Sequence, residues 1–246
     1  MLDNDKLAWT AAKFKAETSR EFDKAVRELV ALAFRYARYG ADFLWDLDPE
    51  LDREANRILR ELSDNLADKA RKLARAIVDD ELDEFDFAEA WDRENGDGVT
   101  ILNRLDMEGS RLKELLEIWV AIAFVNNITK GELRVLVSRY LANPFSSPLW
   151  NGLPRNILAW GRGYDRNIME QMSVIGQNAI ISSSRYAEWM DARAHGARYY
   201  IRRRGSTYHC PECDSLCGYP IPIEVPFEYV HSRCMCRPEY HTDEVS

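Results

Sequence analysis

No cysteine occurs before position 210; all five lie in the closing stretch YHCPECDSLCGYPIPIEVPFEYVHSRCMCRPEYH, at Cys210, Cys213, Cys217, Cys234 and Cys236. Three of the four histidines, His209, His231 and His241, fall in the same stretch, and only His195 lies outside it. Such a segment is too short and irregular to bury a core of its own. It needs a covalent or metal cross-link to hold a fold. The N-terminal residues MLDNDKLAWT lack the basic and then apolar runs of an export signal. That predicts a reducing compartment, where clustered thiols bind metal more often than they form disulfides.

Zinc takes four tetrahedral ligands drawn mostly from thiolate and imidazole. Cys210-Pro-Glu-Cys213 is a C-x-x-C pair, which a tight turn aims at one ion. After a proline-rich insert, His231-Ser-Arg-Cys234-Met-Cys236 supplies a second cluster. Cys234 and Cys236, two apart, share a face if the chain is extended. The expected zinc ligands are Cys210, Cys213 and Cys236, completed by either His231 or Cys234, with Cys217, His209 and His241 to spare. A cysteine-rich set predicts a closed, structural site. A zinc deaminase would need H-x-E upstream of P-C-x-x-C, and here the upstream histidines read HGA and HCP.

The remaining residues read as helices, so the expected fold is mainly α: a long-helix N-terminal body (1–145), a linker region (146–164), and a helix, strand and small α+β zinc module (165–246). Only 12 glycines and 9 prolines punctuate 246 residues. Val26, Leu29, Val30 and Phe34 recur at helical steps in a helix from Asp5 to about Tyr39, with Gly40 as its stop. Leu51, Ala55, Ile58, Leu59, Leu62 and Leu66 line one face of a second, from Pro49 to about Asp79. A third should span Val99–Asn127 with a break near Asp106–Gly109. Thr129 and Glu132 have capping-box spacing ahead of a short helix to about Leu141. ANPFSSPLWNGLPRN (Ala142–Asn156) is the clearest linker. Ile168, Met172, Ile175, Ala179, Ser183, Tyr186 and Met190 mark one stripe of a helix from Asp165 to Ala194, which Gly196 should end. ARYYIRRR (Ala197–Arg204) reads as a strand.

Charge is uneven. The net of −8 is concentrated in the first 100 residues, which excludes a uniformly basic nucleic-acid binder. DDELDEFDFAEAWDRENGDG (Asp79–Gly98) reads as an acidic solvated loop. Arg202, Arg203 and Arg204, beside tyrosines, are candidate DNA-phosphate contacts, although a solvated edge strand is the simpler reading. His195, at a helix end, suits capping. The longest apolar helical run, Ile118–Val125, is far short of the ~20 residues that span a bilayer, so no membrane partner is expected. No phosphate-binding loop, nucleophile elbow or dinucleotide fingerprint is present.

The order C-P-x-C-x-x-L-x-G, a proline-rich spacer, then H-x-x-C-x-C resembles the C-terminal signature of phage minor head (head-morphogenesis) proteins, the family of the phage Mu F protein. The matching residues are Cys210, Pro211, Cys213, Leu216, Gly218, His231, Arg233, Cys234 and Cys236, and the motif region covers about Ile175–His241. Family members usually carry proline where Ser232 stands, and Cys217 is an added cysteine. The resemblance implies a non-enzymatic virion component, present in host cytoplasm during assembly. It would act in capsid assembly or DNA delivery, with portal or capsid proteins as partners and self-association left open. The alternatives are a zinc-containing nucleic-acid-binding protein and a zinc-dependent nuclease or toxin.

Overall fold

The computed structural model describes residues 2–36, 42–93, 100–142, 168–205, 210–228 and 234–243. It is mainly helical, with a small three-stranded antiparallel sheet near the C-terminus. In chain order the elements are α1 (Asn4–Arg35), a 3-10 turn (Trp45–Leu47), α2 (Pro49–Glu81), α3 (Phe87–Asp92), α4 (Ile101–Val125) and α5 (Lys130–Ala142). There follow α6 (Ile168–Ala194), β1 (Tyr199–Arg203), α7 (Pro211–Leu216), β2 (Pro220–Pro222) and β3 (Arg237–His241). Gly40 and the expected linker over 146–164 lie outside the described residues.

The long helices follow their apolar spacing. Leu7, Ala11, Phe14, Thr18, Phe22, Val26, Leu29 and Ala33 are all buried along α1, at steps of three or four. The predicted face of α2 is likewise buried from Leu51 to Leu66. Asp48 caps α2, accepting from the Glu50 amide at 2.9 Å just ahead of Pro49. The capping box forms as expected. The Thr129 amide donates to Glu132 Oε2 at 2.9 Å, and the Glu132 amide donates to Thr129 Oγ1 at 3.3 Å. The break expected near Asp106–Gly109 does not occur. α4 is continuous, and Gly109 is buried with Leu59 beside it, so packing outweighs the helix-weakening tendency of glycine.

Two compact units divide the chain: residues 1–15, 67–101 and 174–246 in one, residues 16–66 and 102–173 in the other. They interleave along the sequence, because the boundaries fall inside α1, α2 and α6 and at the first residue of α4. In the second unit, Phe43 packs edge-on against Trp45 at 5.0 Å, and Phe34 lies 5.2 Å from Phe124. The Trp45 indole donates to the Lys113 carbonyl at 2.8 Å.

The first unit carries the cysteines. In α6, the predicted stripe is only partly the buried one. Ile180, Ile181, Ala187 and Trp189 are buried too, as are Ser184, Arg185 and Glu188. Arg185 and Glu188 form an ion pair of 2.7 Å with each side chain 1% exposed, and Glu188 also accepts the Leu2 amide at 2.7 Å. The Phe14 ring lies so close to Gly176 that a Cβ there would fall 2.1 Å from it. The described part of the acidic run, 79–93, is more ordered than a solvated loop. It ends α2 and forms α3, whose N-cap Asp86 accepts from the Ala88 and Glu89 amides. The Asp191 carboxylate accepts from the Asp83 and Glu84 amides, both at 3.0 Å.

α6 closes in a Schellman turn. Ala197 N donates to Ala192 O at 3.0 Å, Gly196 N donates to Arg193 O at 3.1 Å, and Gly196 has φ +83°. His195 sits in this turn, its ring Nδ1 2.8 Å from the Asp191 carbonyl. β1 then enters the sheet, whose order is β2-β1-β3. Tyr200 pairs with Ile221 on one side and Tyr240 on the other. β1 is therefore the central strand and not an edge. Its partners carry Pro220, Pro222 and Pro238, residues confined to sheet edges because they cannot donate to a ladder. Behind the sheet, Trp189, Ala197, Tyr200, Ile223 and Phe227 form a buried cluster. The Trp189 indole donates to the Ile223 carbonyl at 2.9 Å and ties the tail to α6. No helix among the described residues is long and apolar enough to cross a membrane.

Candidate metal centre

Two short segments bring the thiols together. α7 presents the first: Cys210 is its N-cap, Pro211 follows in the first turn, Cys213 is buried one turn on, and Cys217 is the C-cap. α7 is held beside β1 at two points. The Gly218 amide, at φ +87°, donates to the Arg202 carbonyl at 3.1 Å, and Arg204 pairs with Asp214 at 3.0 Å. The second segment leads into β3 and carries Cys234 and Cys236, both buried. Pairing of Arg203 with Arg237 fixes where it starts, and Gly205 lets it come close: a Cβ on Gly205 would lie 1.6 Å from the Met235 carbonyl oxygen.

The result is a buried trio. One ligand atom from each of Cys213, Cys234 and Cys236 lies within 4.8 Å of the others, and the Cys213 and Cys234 sulfurs are 3.6 Å apart. All five cysteines are free thiols. In a tetrahedral zinc thiolate, Zn–S bonds of about 2.3 Å put sulfurs about 3.8 Å apart. The trio is thus close enough to hold a metal ion. Cys210 and Cys217 pack against it from either end of α7.

The thiols are not equivalent. Burial pushes the Cys213 thiol above its ordinary value, and the neighbouring Cys236, Cys234 and Cys210 sulfurs push it further. Burial raises Cys234, and it raises Cys217, which also touches Cys236. Cys236 moves the other way. Burial acts upward on it, but the Gly205 amide, the Cys213 and Cys234 thiols and the charge of Arg202 together pull it down. Amide-to-sulfur hydrogen bonds, from Gly205 to Cys236 and from Cys236 to Cys234, suit a thiolate set.

Of the expected ligands, Cys213, Cys234 and Cys236 converge, and Cys210 lies against them. His231 and His209 fall outside the described residues. His241 is on β3, stacked on Tyr199 at 4.8 Å, and is not part of the trio.

Of the three arginines named as candidate DNA contacts, Arg203 and Arg204 are exposed and Arg202 is buried. Arg202 is 3% exposed, its guanidinium 4.2 Å over the Phe227 ring and its Nη2 donating to the Glu228 carbonyl at 2.7 Å. It is not presented to a phosphate, because alternation along β1 turns it to the buried face with Tyr200. Arg203 pairs with Glu239 at 2.5 Å, and Arg204 with Asp214. Gly205, which was not read from the sequence as part of the site, borders the segment that carries Cys234 and Cys236. A glycine directly after an arginine-rich strand was the available signal. No known family, curated protein or solved structure matches this chain.

Proposed function

We propose that this chain is a non-enzymatic structural protein whose C-terminal module is clasped by zinc on Cys210, Cys213, Cys234 and Cys236. The supporting observation is the buried convergence of Cys213, Cys234 and Cys236, whose sulfurs lie within 4.8 Å of one another. Cys210 supplies the fourth thiolate because it stands one helical turn before Cys213, in C-x-x-C spacing, and packs on the trio. Four thiolates close the coordination sphere and leave no position for a reacting water. Zinc would cross-link α7 to the segment entering β3, two pieces with little core between them.

The wider role rests on the order of residues in the tail, which resembles that of phage minor head proteins. On that reading the helical, acidic body is an interaction platform at the portal or inner capsid surface. The protein would reside in the virion and act in assembly or DNA delivery. Two measurements test the two layers. Metal analysis of purified protein should find about one zinc per chain. Proteomic analysis of purified phage particles should find the chain among virion proteins, and its absence there would remove the head assignment while leaving the zinc clasp standing.

A further inference from the structure

Arg202 is the one charged side chain among the described residues of 197–243 that is buried. A guanidinium keeps its charge in any protein environment, and a buried charge is costly unless it is paired and hydrogen-bonded. Arg202 is 3% exposed, yet its Nε and Nη1 have no hydrogen-bond partner among the described residues. Only Nη2 is satisfied, by the Glu228 carbonyl, and the Phe227 ring beneath the guanidinium offers partial compensation. The carboxylates around it are engaged with other cations: Asp214 with Arg204, Glu239 with Arg203, and Glu228 with Arg93. No carboxylate among the described residues pairs with Arg202.

Among the described residues, the cysteine cluster, once ionised on a metal, is a further source of negative charge. Backbone geometry sets Arg202 between its two halves. The Arg202 carbonyl accepts the Gly218 amide, next to Cys217, and Arg202 pairs across the sheet with Pro238, two residues from Cys236. Its charge is felt at both Cys236 and Cys217. Four thiolates around a divalent ion carry a net charge of −2, which needs compensation when buried. A site with two imidazoles would be neutral and would leave the guanidinium unopposed.

We propose that Arg202 is a positioning residue of the metal centre, the built-in counter-charge that matches the pocket to an all-thiolate divalent ion. This rests on the zinc-clasp reading. Without metal, the buried guanidinium lacks an anion; with metal, the thiolate set supplies one. Arg202 therefore favours the loaded state over the empty one, and does not simply fill space on Phe227.

The test measures zinc affinity by chelator competition, and melting temperature with and without zinc, for the full chain and two variants. Arg202→Met keeps the length and apolar stem and removes the charge. Arg202→Lys keeps the charge. The expected result is a zinc Kd weakened by about 10- to 100-fold in Arg202→Met, the range seen when second-layer partners of metal ligands are removed. Most of that loss should be recovered in Arg202→Lys, with a metal-free Arg202→Met chain melting no lower than the metal-free parent. Unchanged affinity in Arg202→Met would overturn the proposal. So would equal losses in both variants, or a metal-free Arg202→Met chain that melts lower or fails to fold, since packing alone would then account for the residue. If the parent chain takes up no zinc, the clasp reading falls and this inference with it. If the parent binds zinc and Arg202→Met binds it equally well, only this inference falls.

Discussion

The Cys213 and Cys234 sulfurs lie 3.6 Å apart in the buried interior of the tail, although 21 positions separate them along the chain. Their proximity depends on α7 docking against β1 and on Gly205 admitting the segment that carries Cys234 and Cys236. A cross-link between these segments would therefore stabilise the whole sheet.

The thiols divide into ligands and a bystander. Cys213→Ser or Cys234→Ser should abolish stoichiometric zinc binding, because each removes a sulfur from the centre of the set. Cys217→Ser should retain it. Metal analysis of the three variants, with a count of reactive thiols, checks the division, and loss of zinc in Cys217→Ser would move the fourth ligand from Cys210 to Cys217.

Gly205 should tolerate no side chain. A Cβ would meet the Met235 carbonyl oxygen at 1.6 Å, a backbone atom that cannot swing aside. Gly205→Ala should destabilise the module by about 1–3 kcal/mol, the range of overpacking strain. It should also weaken zinc binding by displacing the amide that donates to Cys236. Thermal melts of the loaded and metal-free protein read both effects.

Much of the fold was legible because burial follows apolar spacing in α1 and α2 and because the caps at Thr129 and Gly196 are local. α6 was harder. Arg185 and Glu188 look like solvent-face residues, but they satisfy one another and the Leu2 amide inside the unit. β2 and β3 were missed because three prolines in very short strands hide the usual alternation. The cysteine cluster itself was plain. Choosing Cys234 for it required the three-dimensional path through Gly205, which no spacing rule encodes.

The buried pair in α6 gives a prediction of its own. Glu188→Gln leaves the Arg185 charge buried without its partner, and should cost about 3–5 kcal/mol. Replacing both residues with apolar side chains of similar size should cost much less. Denaturant unfolding of the single and double variants measures the difference.

The pH dependence of zinc binding has a fixed sign. Cys213, Cys217 and Cys234 are held above the ordinary thiol value, so in the metal-free protein they are protonated at neutral pH. Binding must displace those protons, so apparent affinity should fall as pH falls. The metal-free tail behaves oppositely. Raised thiols stabilise the folded form below the ordinary value of 9.0 and withdraw that support as pH rises through their folded values, with only Cys236 opposing. Chelator competition and metal-free melts across pH 6 to 10, roughly the span around ordinary thiol titration, read both slopes.

The zinc clasp is tested most directly by elemental analysis of the full-length protein purified under reducing conditions without chelator. The prediction is about one zinc per chain, with the sulfurs of Cys210, Cys213, Cys234 and Cys236 protected from thiol reagents until a chelator is added. A protein free of metal, with all five thiols reacting at once, would contradict it.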